Sequence, residues 1–172
     1  MHQLFNFLDR LSLLLAALAA LLTVSIGVMI LGEVAARAIF NYSLSFAWEY
    51  SAYAMGVAMF CGAAFTLRTG GHIRVSLLSA HVSPQVARLI DIACTLFAIG
   101  IAGFITYALG QLAWGSYVAG STSATISATP LVIPQGAITA GAGLLTAQLV
   151  ARLAQLLMGE PTEIGGDGYQ VD

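Results

Sequence analysis

Residues 50–67 run for about 18 positions without a charged side chain, and that length limits what the chain can become. An apolar helix of about 18–20 residues crosses the ~30 Å hydrocarbon core of a bilayer. The run opens on Trp48-Glu49 and closes on Arg68, followed by Gly70-Gly71, His72 and Arg74. Interfacial tryptophan at one end and arginines at the other are the usual flanks of a spanning helix.

The same reading applies three more times. Residues 11–40 form a first span whose apolar run continues to Gly32, and the helical pattern extends through Glu33 and Arg37 to Phe40. A helix of about 30 residues is about 45 Å long, so it should tilt or project beyond the core. Arg10 before a leucine- and alanine-rich run has the look of a signal peptide, but the run exceeds the usual ~7–15-residue signal core, so a retained span is expected. Asn41 suits a left-handed helix stop, and Ser45 a cap for the next helix. The second span covers 47–68, with Glu49 expected in its first turn and Ala52 and Gly56 forming a face for close helix approach. Residues 69–83 read as a polar hairpin. Ser83-Pro84 starts a third span, 84–118, whose far end carries Trp114 and Tyr117. Residues 119–129 form an uncharged loop rich in serine, threonine and alanine. Pro130 and Pro134 bracket the start of the fourth span, 131–158, and Gly159 and Pro161 stop it. The expected fold is therefore an all-α integral membrane domain over 1–159 with four transmembrane helices, followed by a disordered tail over 160–172.

Composition agrees. The chain of 172 residues is 59% hydrophobic and 8% charged, against about a quarter charged for a soluble domain. A net charge of -2 without a basic stripe excludes nucleic acid as a partner. Cys61 and Cys94 fall inside apolar runs and suggest neither a disulfide frame nor a zinc site. Arg10, Arg68, Arg74, Arg88 and Arg152 collect at one end of the spans and only Arg37 at the other. The positive-inside rule then places both termini in the cytoplasm of a bacterial inner membrane protein, with the 119–129 loop outside.

Few residues offer chemistry. Glu33, Arg37 and Asn41 are spaced i, i+4, i+8 and share a helix face; they form either a stripe that docks a partner or a self-satisfied ion pair. Glu49 could bind a cation in a small exporter, but at a helix start it reads better as an interfacial acid. His72 and His81 suggest a haem- or quinone-bearing respiratory anchor, yet haem ligands usually lie within spans, and these histidines lie in polar segments. Arg68, His72 and Arg74 could hold lipid headgroups or a partner loop. There is no phosphate-binding loop, no nucleophile elbow and no clustered metal ligands in the sequence, so no cofactor and no catalysis are expected.

A set of short pieces in order carries a family resemblance: Glu33-x-x-x-Arg37 with Phe40-Asn41, then Trp48-Glu49, Gly62-Ala63-Ala64, Leu67-Arg68, Gly71-His72-Ile73-Arg74-Val75 with Leu77-Leu78, and the loop from Ser121 to Pro134. The chain resembles the small, DctQ-like membrane subunit of tripartite ATP-independent periplasmic (TRAP) transporters over nearly its whole length apart from the tail. It departs at Phe46-Ala47-Trp48-Glu49, where many relatives look like W-x-E-E. The resemblance implies a non-catalytic scaffold that packs on a large many-span permease subunit. That subunit would carry sodium and an organic acid delivered by a periplasmic binding protein. Glu33, Arg37, Asn41, Trp48, Glu49, Arg68, His72 and Arg74 are the residues expected to meet the partner subunit or membrane lipids.

Overall fold

The structure, a computed structural model, describes residues 2–68 and 84–158. The expected hairpin over 69–83, with His72, Arg74 and His81, and the expected tail over 160–172 lie outside those residues. The described chain is helical: α1 His2–Phe40, α2 Ser45–Arg68, α3 Pro84–Ala119 and α4 Val132–Met158. All four are long and apolar enough to cross a membrane, and the described residues contain no β-strand. The 39 residues of α1 extend for about 58 Å at 1.5 Å per residue. That exceeds what one bilayer crossing needs.

Helix ends follow local chemistry. Asn41, with φ 50°, stops α1 in the left-handed conformation that asparagine tolerates better than most residues. Pro84 opens α3, where a missing N–H costs nothing. Pro130 precedes α4, and Pro134 lies buried in its first turn. Glu49 is the fifth residue of α2 rather than part of its first turn, because the helix starts at Ser45. It is thus one turn deeper than the sequence suggests.

The helices pack in a row, in the spatial order α1–α2–α4–α3. The two pairs joined by described connections, α1/α2 and α3/α4, are antiparallel. The central pair, α2 and α4, runs parallel, as the facing positions Tyr50–Thr129, Gly56–Ile138 and Phe60–Gly141 require. A row leaves most of each helix uncovered. Only 6% of the apolar window of α1 and 11% of that of α3 are buried, against 22% for α2 and 33% for α4. The buried positions are mainly small or polar, whereas leucine, valine, isoleucine and phenylalanine face outward in large numbers. This inverts a water-soluble core and is what a hydrocarbon solvent permits, since lipid exacts no penalty for exposed apolar side chains.

Where helices touch, small residues and hydroxyls set the distance. A Cβ on Gly141 of α4 would lie 3.0 Å from Phe60 Cβ, and one on Gly56 of α2 would lie 2.7 Å from Ile138 Cδ1. Ala52, expected to share this close-approach face, is instead exposed. One turn before Gly56, it lies only about 40° from it around the axis, yet the close contact is made at Gly56. Between α3 and α4, Thr106 and Thr146 hydroxyls hydrogen-bond at 3.0 Å, and Leu67 of α2 joins Ala102 of α3 and Leu149 of α4 in a small apolar core.

Arg88 joins the far end. Its Nη2 donates to the carbonyl oxygens of Leu156 at 2.8 Å and Leu157 at 3.1 Å. These belong to the last turn of α4, whose carbonyls have no helical N–H partner, and a cation is favoured there. An Arg88→Ala variant should lose about 1 kcal/mol of stability. It should also speed amide hydrogen exchange near Leu156–Met158; unchanged exchange there would show that the cap is not formed.

Candidate functional site

Two acids at the end of the row that carries the 41–44 and 120–131 connections are buried, and each holds one connection. Glu33 lies near the end of α1 and is 3% exposed. One of its carboxylate oxygens, Oε1, accepts from Arg37 Nη2 and from Ser43 Oγ at 2.8 Å; the other, Oε2, accepts from the backbone N–H of Leu44. Thus α1 binds the turn that leads out of it. The i, i+4 pair foreseen from the sequence is present, but its acid is buried and its arginine exposed, so the two do not form an ordinary solvated surface pair. Asn41 joins through its backbone conformation as the helix stop, not as a third member of a polar stripe.

Glu49 sits at 9% exposure near the start of α2. The sequence favours an interfacial acid beside Trp48; the structure turns the two adjacent residues to different tasks, as their 100° separation on a helix allows. The Glu49 carboxylate accepts from Tyr53 OH at 2.9 Å, four residues on, and from Thr125 Oγ1 in the loop between α3 and α4. Ser123 and Thr125 hydroxyls lie 2.9 Å apart, the N–H of Thr129 donates to Ser123 Oγ at 3.1 Å, and Tyr50 OH meets Thr129 Oγ1 at 3.2 Å. The loop closes on itself through Leu131 N–H to Ser121 O at 3.0 Å, with Ala128 held at φ 43°. Ile126 at its tip is 95% exposed.

A Glu49→Ala replacement removes the acceptor shared by α2 and the loop. Amide exchange over Ser123–Leu131 should accelerate by roughly an order of magnitude, while α3 and α4 exchange as before. Glu49→Gln keeps one carbonyl oxygen and an N–H2 that a hydroxyl can accept, so its effect should be smaller. Equal exchange in all three proteins would show that the loop is held by its own hydrogen bonds alone.

Trp48 turns toward α1. A groove of about 300 Å³ is lined by Ile30, Val34 and Ala38 of α1, by Ala47 and Trp48 of α2, and by the Glu33–Arg37 pair. Trp48 is 65% exposed. Of the other candidates, Arg68 is the last residue of α2, its side chain outside the described set. The structure brings Glu33, Arg37 and Trp48 together around one groove and assigns Glu49 to a separate clamp.

Several polar partners escaped sequence reasoning. Tyr53 carried a legible signal, being i+4 from Glu49, and the hydroxyls of the 119–129 loop pointed to hydrogen bonding without saying to what. Gln148, Arg152 and Gln155 are buried on α4 at i, i+4, i+7, one helix face, and all three are engaged in the fold. From the sequence Arg152 reads only as a marker of orientation. Its burial shows that it also packs within the row. Among the described residues no three or more His, Cys, Asp or Glu side chains form a group able to hold a metal ion.

The geometry defines a multi-pass membrane protein whose two buried acids fasten its own connections and whose apolar faces stand open. The chain belongs to the family described as tripartite ATP-independent periplasmic transporters, DctQ component, which it matches over residues 26–159. It is thus a small permease subunit of a TRAP transporter, a component of a transport system. No curated protein and no solved structure gives a match.

Proposed function

We infer that this subunit is the static, non-catalytic scaffold of its transporter. It packs along a large many-span permease subunit that carries sodium and an organic acid delivered by a periplasmic binding protein. The observation that carries this reading is the open row of helices. Between two thirds and nearly all of each apolar window is unburied, and the two buried acids, Glu33 and Glu49, are committed to local clamps. Secondary carriers place broken helices and exposed polar groups around a midplane site; the described helices are continuous from end to end. A partner helix laid against the row finds small residues and apolar faces suited to close packing. Glu33, Arg37, Asn41, Trp48, Glu49, Arg68, His72 and Arg74 are proposed to contribute to surfaces that meet the partner or lipid. Glu33 and Glu49 do so indirectly, by fixing the shape of the end that carries the 41–44 and 120–131 connections.

Co-expression with a cognate large permease subunit should yield a complex that survives detergent purification. Liposomes should take up substrate only when both membrane subunits and the soluble protein are present. Transport by this chain alone would overturn the scaffold reading.

We also place both termini in the cytoplasm of the bacterial inner membrane. Arg10, Arg68, Arg88 and Arg152 lie toward the same end of the row, and the positive-inside rule puts that end in the cytoplasm. A fluorescent protein fused after residue 172 should therefore light up, and one inserted after Ile126 should stay dark; the opposite pattern would reverse the topology.

A further inference from the structure

The Arg37 side chain is only partly used by the clamp it belongs to. Its Nη2 serves Glu33 and lies 3.3 Å from Ser43 Oγ. A guanidinium has five N–H donors in a rigid planar fork. Those on Nη1 and Nε meet no acceptor among the described residues, and the side chain is 59% exposed. Glu33, buried and hydrogen-bonded from three directions, anchors the other edge of the fork. Arg37 is 24 residues beyond Leu13, where the apolar span begins, and thus about 36 Å along the helix. That distance exceeds the ~30 Å hydrocarbon core and reaches headgroup level. In this zone an arginine fork matches a phosphodiester: planar donors against tetrahedral acceptor oxygens, in bidentate contact.

The groove beside it supplies the rest of an amphipathic site. Ile30, Val34, Ala38 and Ala47 give it an apolar lining, and Trp48 presents an exposed aromatic ring. Indole rings favour the boundary between hydrocarbon and headgroup.

We propose that this groove binds one phospholipid, its phosphodiester on Arg37 Nη1 and Nε and the first part of an acyl chain along Ile30 and Val34 beneath Trp48. The free polar edge of the site consists of donors, so it calls for an acceptor without donors of its own, as a phosphodiester is. The Glu33–Arg37 pair is neutral overall, so the contact selects for the phosphate group and discriminates weakly among headgroups of different net charge. This inference needs the chain to lie in a bilayer and does not need the scaffold role. Loss of co-purification with a large subunit would therefore sink that role and leave this site standing.

The test uses the full-length chain in detergent micelles with Trp114→Phe, leaving Trp48 as the fluorophore. Phosphatidylglycerol with brominated acyl chains should quench Trp48 saturably. Arg37→Gln should raise the half-saturating lipid fraction roughly tenfold at unchanged helical circular dichroism, and Arg37→Lys should recover part of the loss. Inorganic phosphate should not compete, because it lacks the chain that fills the groove. Quenching that is indifferent to Arg37, or equal quenching by a brominated detergent without phosphate, would reduce the groove to an ordinary greasy slot and overturn the proposal. Competition by free phosphate would overturn it in favour of a simple anion site. Loss of quenching in the complex with the large subunit would overturn it in favour of a protein occupant.

Discussion

Replacing Gly141 by leucine is expected to pry α2 away from α4 and to cause the largest loss of stability of any single change in the helical row. The cause is distance. A Cβ at this position would already stand 3.0 Å from Phe60 Cβ, 3.7 Å from the backbone nitrogen of Cys61 and 3.7 Å from Cys61 Sγ. Phe60 Cβ is one bond from the α2 backbone, so it yields only if the helix moves. Overpacking of this kind costs about 1–3 kcal/mol for one added group; alanine should fall in that range and leucine beyond it. Gly56→Ala makes the control. Its Cβ would meet Ile138 Cδ1 at 2.7 Å, a nominally worse clash, yet Cδ1 is the far end of a side chain that can rotate away. Denaturation midpoints in detergent should therefore rank wild type, Gly56→Ala, Gly141→Ala, Gly141→Leu from most to least stable. A Gly141→Leu protein with the wild-type midpoint would mean that α2 and α4 do not touch as described.

The second large effect belongs to Glu33. Alanine here leaves the Leu44 N–H, the Ser43 hydroxyl and Arg37 Nη2 without their shared acceptor in one step. Leaving a donor unmade where water is scarce costs more than the bond itself was worth. The thermal midpoint should drop by roughly 5 °C or more, and the 41–44 turn should become accessible to protease. Glu33→Gln keeps one acceptor oxygen and should fall between. Arg37→Ala should be milder than Glu33→Ala, because the exposed guanidinium takes water with it when it goes, whereas the carboxylate leaves donors stranded behind. If Arg37→Ala were the more damaging, the ion pair rather than the turn would be what Glu33 supports.

These predictions separate two kinds of information. The spans were legible because length and lack of charge suffice to mark a helix that crosses lipid. The ends were legible too, through Asn41, Pro84, Pro130 and Pro134, since stops and starts depend on local backbone chemistry. The i, i+4 spacing disclosed Glu33 with Arg37, and the order of short pieces from Glu33 to Pro134 disclosed the family. The clamp on the 120–131 loop was not legible: Glu49 and Thr125 are 76 residues apart, and no local spacing relates them. Arg152 looked like an interfacial charge because a sequence gives its position along a helix but not the direction in which it points. Ala52 looked like a packing residue for the same reason.

The amino-acid sequence by itself determined that this is a membrane subunit of the TRAP type with, among the described residues, four helices long and apolar enough to cross a bilayer, because apolar length, end signals and motif order are properties of the chain read one segment at a time. The order α1–α2–α4–α3, the parallel contact of α2 with α4, and the turning of Trp48 toward a groove while Glu49 faces a loop were decided only in three dimensions. In water, the apolar stripe of a helix reveals its buried side. In lipid every side is apolar, so the stripe is silent, and the choice falls to close contacts such as Gly141 on Phe60 and to hydrogen bonds between distant segments.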